Sequence, residues 1–394
     1  MAQKDKKAVF WTFFLVLMTT VSLSGCGGGS DTPQINKEQQ EQNNNTEGDS
    51  TTTQKKLTPE QGYEQLTRAM VDSVILPVYQ NVKQQNLALK AQTAAFCNNT
   101  QRDHSSLIQL QSTWQQTSLA WQQARTIKLG PIADTYHYSR IQFWPISADK
   151  LASDVIALLA AEPDFSKGVA SLKHQVQGLP AYEYIVFNSQ IPLFEAQDLD
   201  KRCNYLNAIT ENIETLLINS ITHWQGEYGD NFKAGSGKFT DKKQALEKLL
   251  TIWFEYLEVI KDNKIDGPLA LETPGKAELV ESAFSQTSLR NIHANIVALE
   301  QIYKGSEGFG FGDYLSKVSQ RDDVATEIDL HFKAIYDAID VMQYQPMITL
   351  IATNQGRFQL EALSTSIANL RSLMSSDFVQ ITGLEPGFNT NDGD

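Results

Sequence analysis

The apolar residues of this chain recur at intervals of three and four, and in no run do they alternate with polar ones as a half-buried strand requires. Leu66, Met70, Val74, Val78 and Val82 open the pattern, and Leu107, Leu110, Trp114 and Trp121 continue it. Leu206, Ile209, Ile213, Leu216 and Leu217 repeat it, as do Leu246, Leu249, Leu250, Trp253 and Leu257. A stripe of this period is buried by a helix whose other face meets water. The expected fold is therefore all-α. The clearest internal break is Asn231–Phe239, where Gly235-Ser236-Gly237 interrupts the periodicity. Two groups of helices of similar size follow from it, read as two helical-bundle domains over 58–234 and 235–394.

The punctuation supports these elements. Thr58-Pro59-Glu60-Gln61 offers a capping hydroxyl, a proline at the first helical position and a glutamine at the third, and Pro77 is predicted to kink the helix so begun. A second helix begins after Asp103 and stops at Gly130-Pro131. Short amphipathic pieces are expected around Lys150–Ala160 and Lys167–Gln177, then a long helix from Leu199. Further helices are expected over Thr240–Leu257, Leu289–Tyr303, Val324–Met342 and Phe358–Met374. Gly308-Phe309-Gly310-Phe311-Gly312-Asp313 lacks the lysine and the preceding strand of a phosphate loop and reads as a loop plugged by aromatics.

The first 25 residues read as an export signal: Lys4, Lys6 and Lys7, an apolar run from Ala8 to Val21, then Leu23-Ser24-Gly25-Cys26. The last four resemble a bacterial lipobox, so Cys26 is the expected lipidation site and first mature residue. Gly27 after it gives no inner-membrane retention signal, which makes an outer-membrane lipoprotein facing the periplasm the default, attached to the membrane through Cys26. Residues 26–57 are almost devoid of apolar side chains and read as a disordered tether. Losing the leader takes the formal charge from −13 to about −15, which argues against a general nucleic-acid binder. Cys97 and Cys203 remain as an even pair in an oxidising compartment, each at the end of a long helix. A disulfide is the expectation, two buried thiols the alternative.

One stretch carries a charge where a helix should be apolar: Gln177-Gly178-Leu179-Pro180-Ala181-Tyr182-Glu183-Tyr184-Ile185-Val186-Phe187. Pro180 fits a first helical turn, and Glu183 then stands near the positive end of the helix dipole. As a bare pattern this is either a helix-start carboxylate or a site residue. The stretch resembles the signature of the imelysin-like proteins (the peptidase M75, iron-regulated protein A-like family), Gly-x-His-x-x-Glu, in the branch that reads Gly-Leu-Pro-Ala-x-Glu. Gly178, Pro180 and Glu183 occupy the motif positions. The likeness extends to Trp114 and Trp121, Gly130-Pro131, Phe143-Trp144-Pro145 and the final Gly387–Asp394, in the family's order.

The resemblance implies a duplicated helical fold with the signature near the domain interface. It also implies a binding component in iron or haem uptake or homeostasis, with iron or haem as possible ligand and other iron-uptake envelope proteins as possible partners. The alternative is a metal-dependent peptidase or other hydrolase of the imelysin type using Glu183. Proline at 180 removes the family's His-x-x-Glu pair, and none of the six histidines restores it elsewhere or forms His-Glu-x-x-His. A carboxylate ahead of a buried run also needs a partner, for which Arg140 and Arg125 are the candidates, with Trp144 as a wall of the same cleft. The expected ligand-binding set is thus Glu183, Arg140, Trp144, Arg125, Gly178 and Pro180, with no metal ligands identified.

Overall fold

The computed structural model of the chain describes residues 56–188 and 190–387. The leader, Cys26, most of the tether and the final residues 388–394 lie outside the described residues, and with them the lipidation site and most of the C-terminal ending. No strand occurs among the described residues, and the α-helices begin and end largely where short-range chemistry directs. Thr58 Oγ1 accepts from the Gln61 N–H while Gln61 Oε1 accepts from the Thr58 N–H, closing a capping box on the Pro59–Ala69 helix. Asp103 and Ser106 do the same for His104–Ala124. At Gly130 the backbone has φ +67°, a conformation open to glycine, and a short turn Pro131–Asp134 follows.

Pro77 does not end the helix. The chain widens into a π-helical segment, Met70–Ile75, and resumes as an α-helix over Leu76–Asn98 with the proline in its first turn. Widening absorbs the missing N–H without ending the helix. A second π-helical segment, Val259–Asp266, extends the Lys242–Glu258 helix in the same way just before Pro268. Of the two short pieces expected ahead of the signature, Ala148–Ala160 is a helix, whereas 167–177 holds only the end of one short turn, Phe165–Lys167, and a second, His174–Val176. Arg140 and Ile141 close a five-residue helix, His137–Ile141.

Leu76–Asn98 packs against both His104–Ala124 and the long helix Leu199–Gln225, making the core of the first helical group. The bridge between Cys97 and Cys203 (Cα–Cα 5.7 Å) ties the end of one to the start of the other. In the second group Asp322–Val341 packs on Asn354–Leu373. The Ser288–Lys304 helix joins the groups by lying against His104–Ala124, and the apolar residues of both belong to one continuous core. Among the described residues no helix is long and apolar enough to cross a membrane.

Candidate functional site

The signature helix runs Leu179–Phe187, with Pro180 in its first turn. Gly178 precedes it because nothing larger fits: a Cβ there would stand 2.1 Å from the carbonyl oxygen of Ile141 and 2.6 Å from that of Arg140. This close approach locks the signature against the loop that carries Phe143-Trp144-Pro145.

Glu183 is buried, only 3% exposed, on a helix of Leu179, Ala181, Tyr182, Ile185 and Val186. Its Oε1 accepts two hydrogen bonds from Ser285, from the backbone N–H at 2.8 Å and from the hydroxyl at 2.7 Å. Burial raises its pKa to about 7, against the pull of those two donors. Neither candidate arginine pairs with it. Arg140 donates instead to Gln177 Oε1 (2.8 Å) and Asn212 Oδ1 (3.1 Å), which steadies the segment leading into the signature. Arg125 donates through Nη1 to Glu281 (2.8 Å) and through Nε to the Tyr138 hydroxyl (3.1 Å).

Arg125 thereby belongs to a polar centre that sequence reasoning missed. Glu281 is its hub. Oε1 accepts from Arg125 and Gln142 (3.0 Å), and more distantly from Gln122 (3.4 Å); Oε2 accepts from Lys264 (2.8 Å) and Asn291 (3.2 Å). Lys264 completes its three donors on Gln122 Oε1 (2.9 Å) and Asn295 Oδ1 (2.8 Å). Every member is buried. Burial works to raise the Glu281 pKa, but Lys264 and Arg125 hold it below the usual carboxylate range. Burial likewise presses Lys264 down to about 7, with Glu281 opposing. The widened Val259–Asp266 turn is what carries Lys264 into the centre. A signal for part of this was present: Asn291 and Asn295 sit four apart within the apolar stripe of one helix, where amides need partners.

Trp144 stands over the same centre, its ring 5.8 Å from Arg125 Cζ and 5.5 Å from Lys264 Nζ. It walls a cavity of about 240 Å³ that Arg125, Tyr138 and Tyr256 also line and that Glu183 does not. The structure thus brings Arg125 and Trp144 together, and sets Glu183 apart on Ser285 and Arg140 on Gln177 and Asn212. Among the described residues no group of three or more His, Cys, Asp or Glu is placed to hold a metal ion.

The family profile described as imelysin matches residues 75–374, most of the chain. The chain belongs to the imelysin family. Solved structures carry the same fold. An imelysin-like protein from Psychrobacter arcticum 273-4 superposes with a TM-score of 0.67 at 18% identity, covering 84% of this chain and 98% of that one. A putative iron-regulated protein A precursor from Parabacteroides distasonis ATCC 8503 gives 0.65 at 17% identity, covering 82% and 97%. No curated protein matches the chain. Within the imelysin fold, Glu183 of the signature and the Glu281 centre both tie the first helical group to residues 281–295.

Proposed function

We propose that this imelysin-family chain is a ligand-binding lipoprotein of the cell envelope, anchored through Cys26 and facing the periplasm, that serves iron or haem acquisition without peptidase chemistry. The observation that carries the reading is the state of Glu183. A metallopeptidase needs a carboxylate beside metal ligands and a water, whereas this one is buried and engaged by the Ser285 N–H and hydroxyl. Pro180, where the family signature has histidine, leaves the same position without a ligand.

The likeness to a protein titled a putative iron-regulated protein A precursor supports the iron connection. With no cluster of metal-binding side chains among the described residues, the iron arrives in a shell of its own ligands, as haem or as a chelate. The protein then recognises the organic shell. The test is growth under iron limitation of a strain lacking the protein, complemented with wild type or with Cys26→Ser. The deletion should grow more slowly, wild type should restore growth, and the unanchored variant should restore it only partly. Equal growth of the deletion and wild type would remove the iron assignment.

A further inference from the structure

The polar centre is complete on its inner side and unfinished on its outer side. Arg125 is 1% exposed and uses Nε and Nη1, while its Nη2 makes no hydrogen bond among the described residues. Tyr256, 3% exposed, has a hydroxyl near Tyr138 that meets no partner of hydrogen-bonding geometry. The indole Nε1 of Trp144 is also buried without a partner. All three side chains line the cavity of about 240 Å³. An unmatched buried donor costs free energy comparable to a lost hydrogen bond, so the Trp144 indole and the Tyr256 hydroxyl, beside the open Nη2 of Arg125, mark a place where an acceptor is missing.

Charge points the same way. Arg125, a fixed cation, shares the one carboxylate of Glu281 with Lys264, so its charge is only partly offset within the protein. The exposed Lys128, its ammonium 5.4 Å from the Tyr138 ring centroid, and the half-buried Glu255 also line the cavity. The rings of Tyr138, Trp144 and Tyr256 make up much of the remaining wall, with Pro145, Ile252, Val259 and Asn263 completing it. A volume below the ~300–1,000 Å³ of drug-sized ligand sites admits one ring with its substituent.

We infer that this cavity binds an aromatic carboxylate, its ring between the side chains of Tyr138, Trp144 and Tyr256 and its carboxylate accepting from Arg125, Tyr256 and Trp144. Arginine fits a planar carboxylate through the one fork position left open. The inference rests on reading the chain as a binding component, and it narrows that reading: the cavity grips an aryl carboxylate arm of the ligand shell and is too small for a whole porphyrin.

Benzoate is the probe, titrated calorimetrically into the purified full chain, with benzamide as the uncharged ring. Benzoate should saturate, and benzamide should bind at least tenfold more weakly. Tyr256→Phe and Trp144→Phe keep the rings and remove only unpartnered donors, so each should weaken benzoate about tenfold while the thermal midpoint holds or rises. Absence of saturation overturns the inference, as does equal affinity for benzamide or unchanged benzoate affinity in both variants. Saturable benzoate binding in a protein whose deletion leaves iron-limited growth intact would keep the cavity's assignment and remove the iron role. Iron-limited growth that needs the protein, with no benzoate binding, would do the reverse.

Discussion

Glu281 Oε2 accepts from Lys264 Nζ at 2.8 Å, and neither side chain is more than 3% exposed. The pair lies where 281–295, the widened turn of 259–266 and the helix His104–Ala124 converge, so it couples folding of the two helical groups to one buried charge. Glu281 also neutralises Arg125, which makes the two partners unequal.

Glu281→Gln should therefore destabilise the protein by about 3–5 kcal/mol, because it leaves Arg125 buried without a counter-charge and takes from Lys264 the carboxylate that favours its charged form. Lys264→Met should cost less, since Arg125 still serves Glu281. Denaturant unfolding of the two variants checks the order, and a Lys264→Met cost equal to or above that of Glu281→Gln would contradict the hub assignment.

Glu183 predicts a pH dependence. Its pKa is about 7 in the fold and near 4.5 when exposed, so between those values the folded state holds more protons than the unfolded one. Its stability contribution is full below 4.5 and is lost as pH rises through 7. Glu183→Gln removes this slope. Relative to wild type the variant should gain stability on going from pH 5 to pH 8, by something on the order of 3 kcal/mol. A stability difference that is flat with pH would mean that Glu183 is ionised throughout.

Cys97 and Cys203 are 106 residues apart in sequence, and opening their bridge frees a loop of that size in the unfolded chain. Reduction should lower unfolding free energy by about 4–5 kcal/mol in the chain-entropy description. Unfolding curves with and without reductant, with Cys97→Ser/Cys203→Ser as control, measure it; coincident curves would contradict the prediction.

Gly178→Ala should be among the most damaging single changes, since its methyl collides with the carbonyl oxygens of Ile141 and Arg140, which are backbone and give way little. A loss of about 3 kcal/mol or more is expected, with the thermal midpoint as readout. A midpoint within a degree of wild type would show that the loop and the signature helix are not in such close contact.

The helices were legible because their apolar stripes have a single period and because Thr58 and Asp103 cap the helices they open, although the second helix ends at Ala124, ahead of the stop expected at Gly130-Pro131. The disulfide was legible from cysteine number and helix ends. At Pro77 the sequence marked the irregularity but not the wider turn, Met70–Ile75, that precedes it. The burial of Glu183 followed from its apolar neighbours, but its partner Ser285 is 102 residues away, in a segment with no period to read. Lys264 and Glu281 were hidden for the same reason. Among Lys261, Asp262 and Asp266 a lysine reads as part of a solvated charge run, and only the π-helical turn carries this one inward.

Binding of iron within an organic shell is what we propose for this chain. Equilibrium titration of the purified, metal-free full chain with haem and with ferric salicylate, whose ligand carries an aryl carboxylate, followed by absorbance and calorimetry, is the test. The account predicts saturable binding of at least one of the two at a fixed stoichiometry. Absence of saturation with both, in protein shown to be folded by its thermal transition, would contradict it.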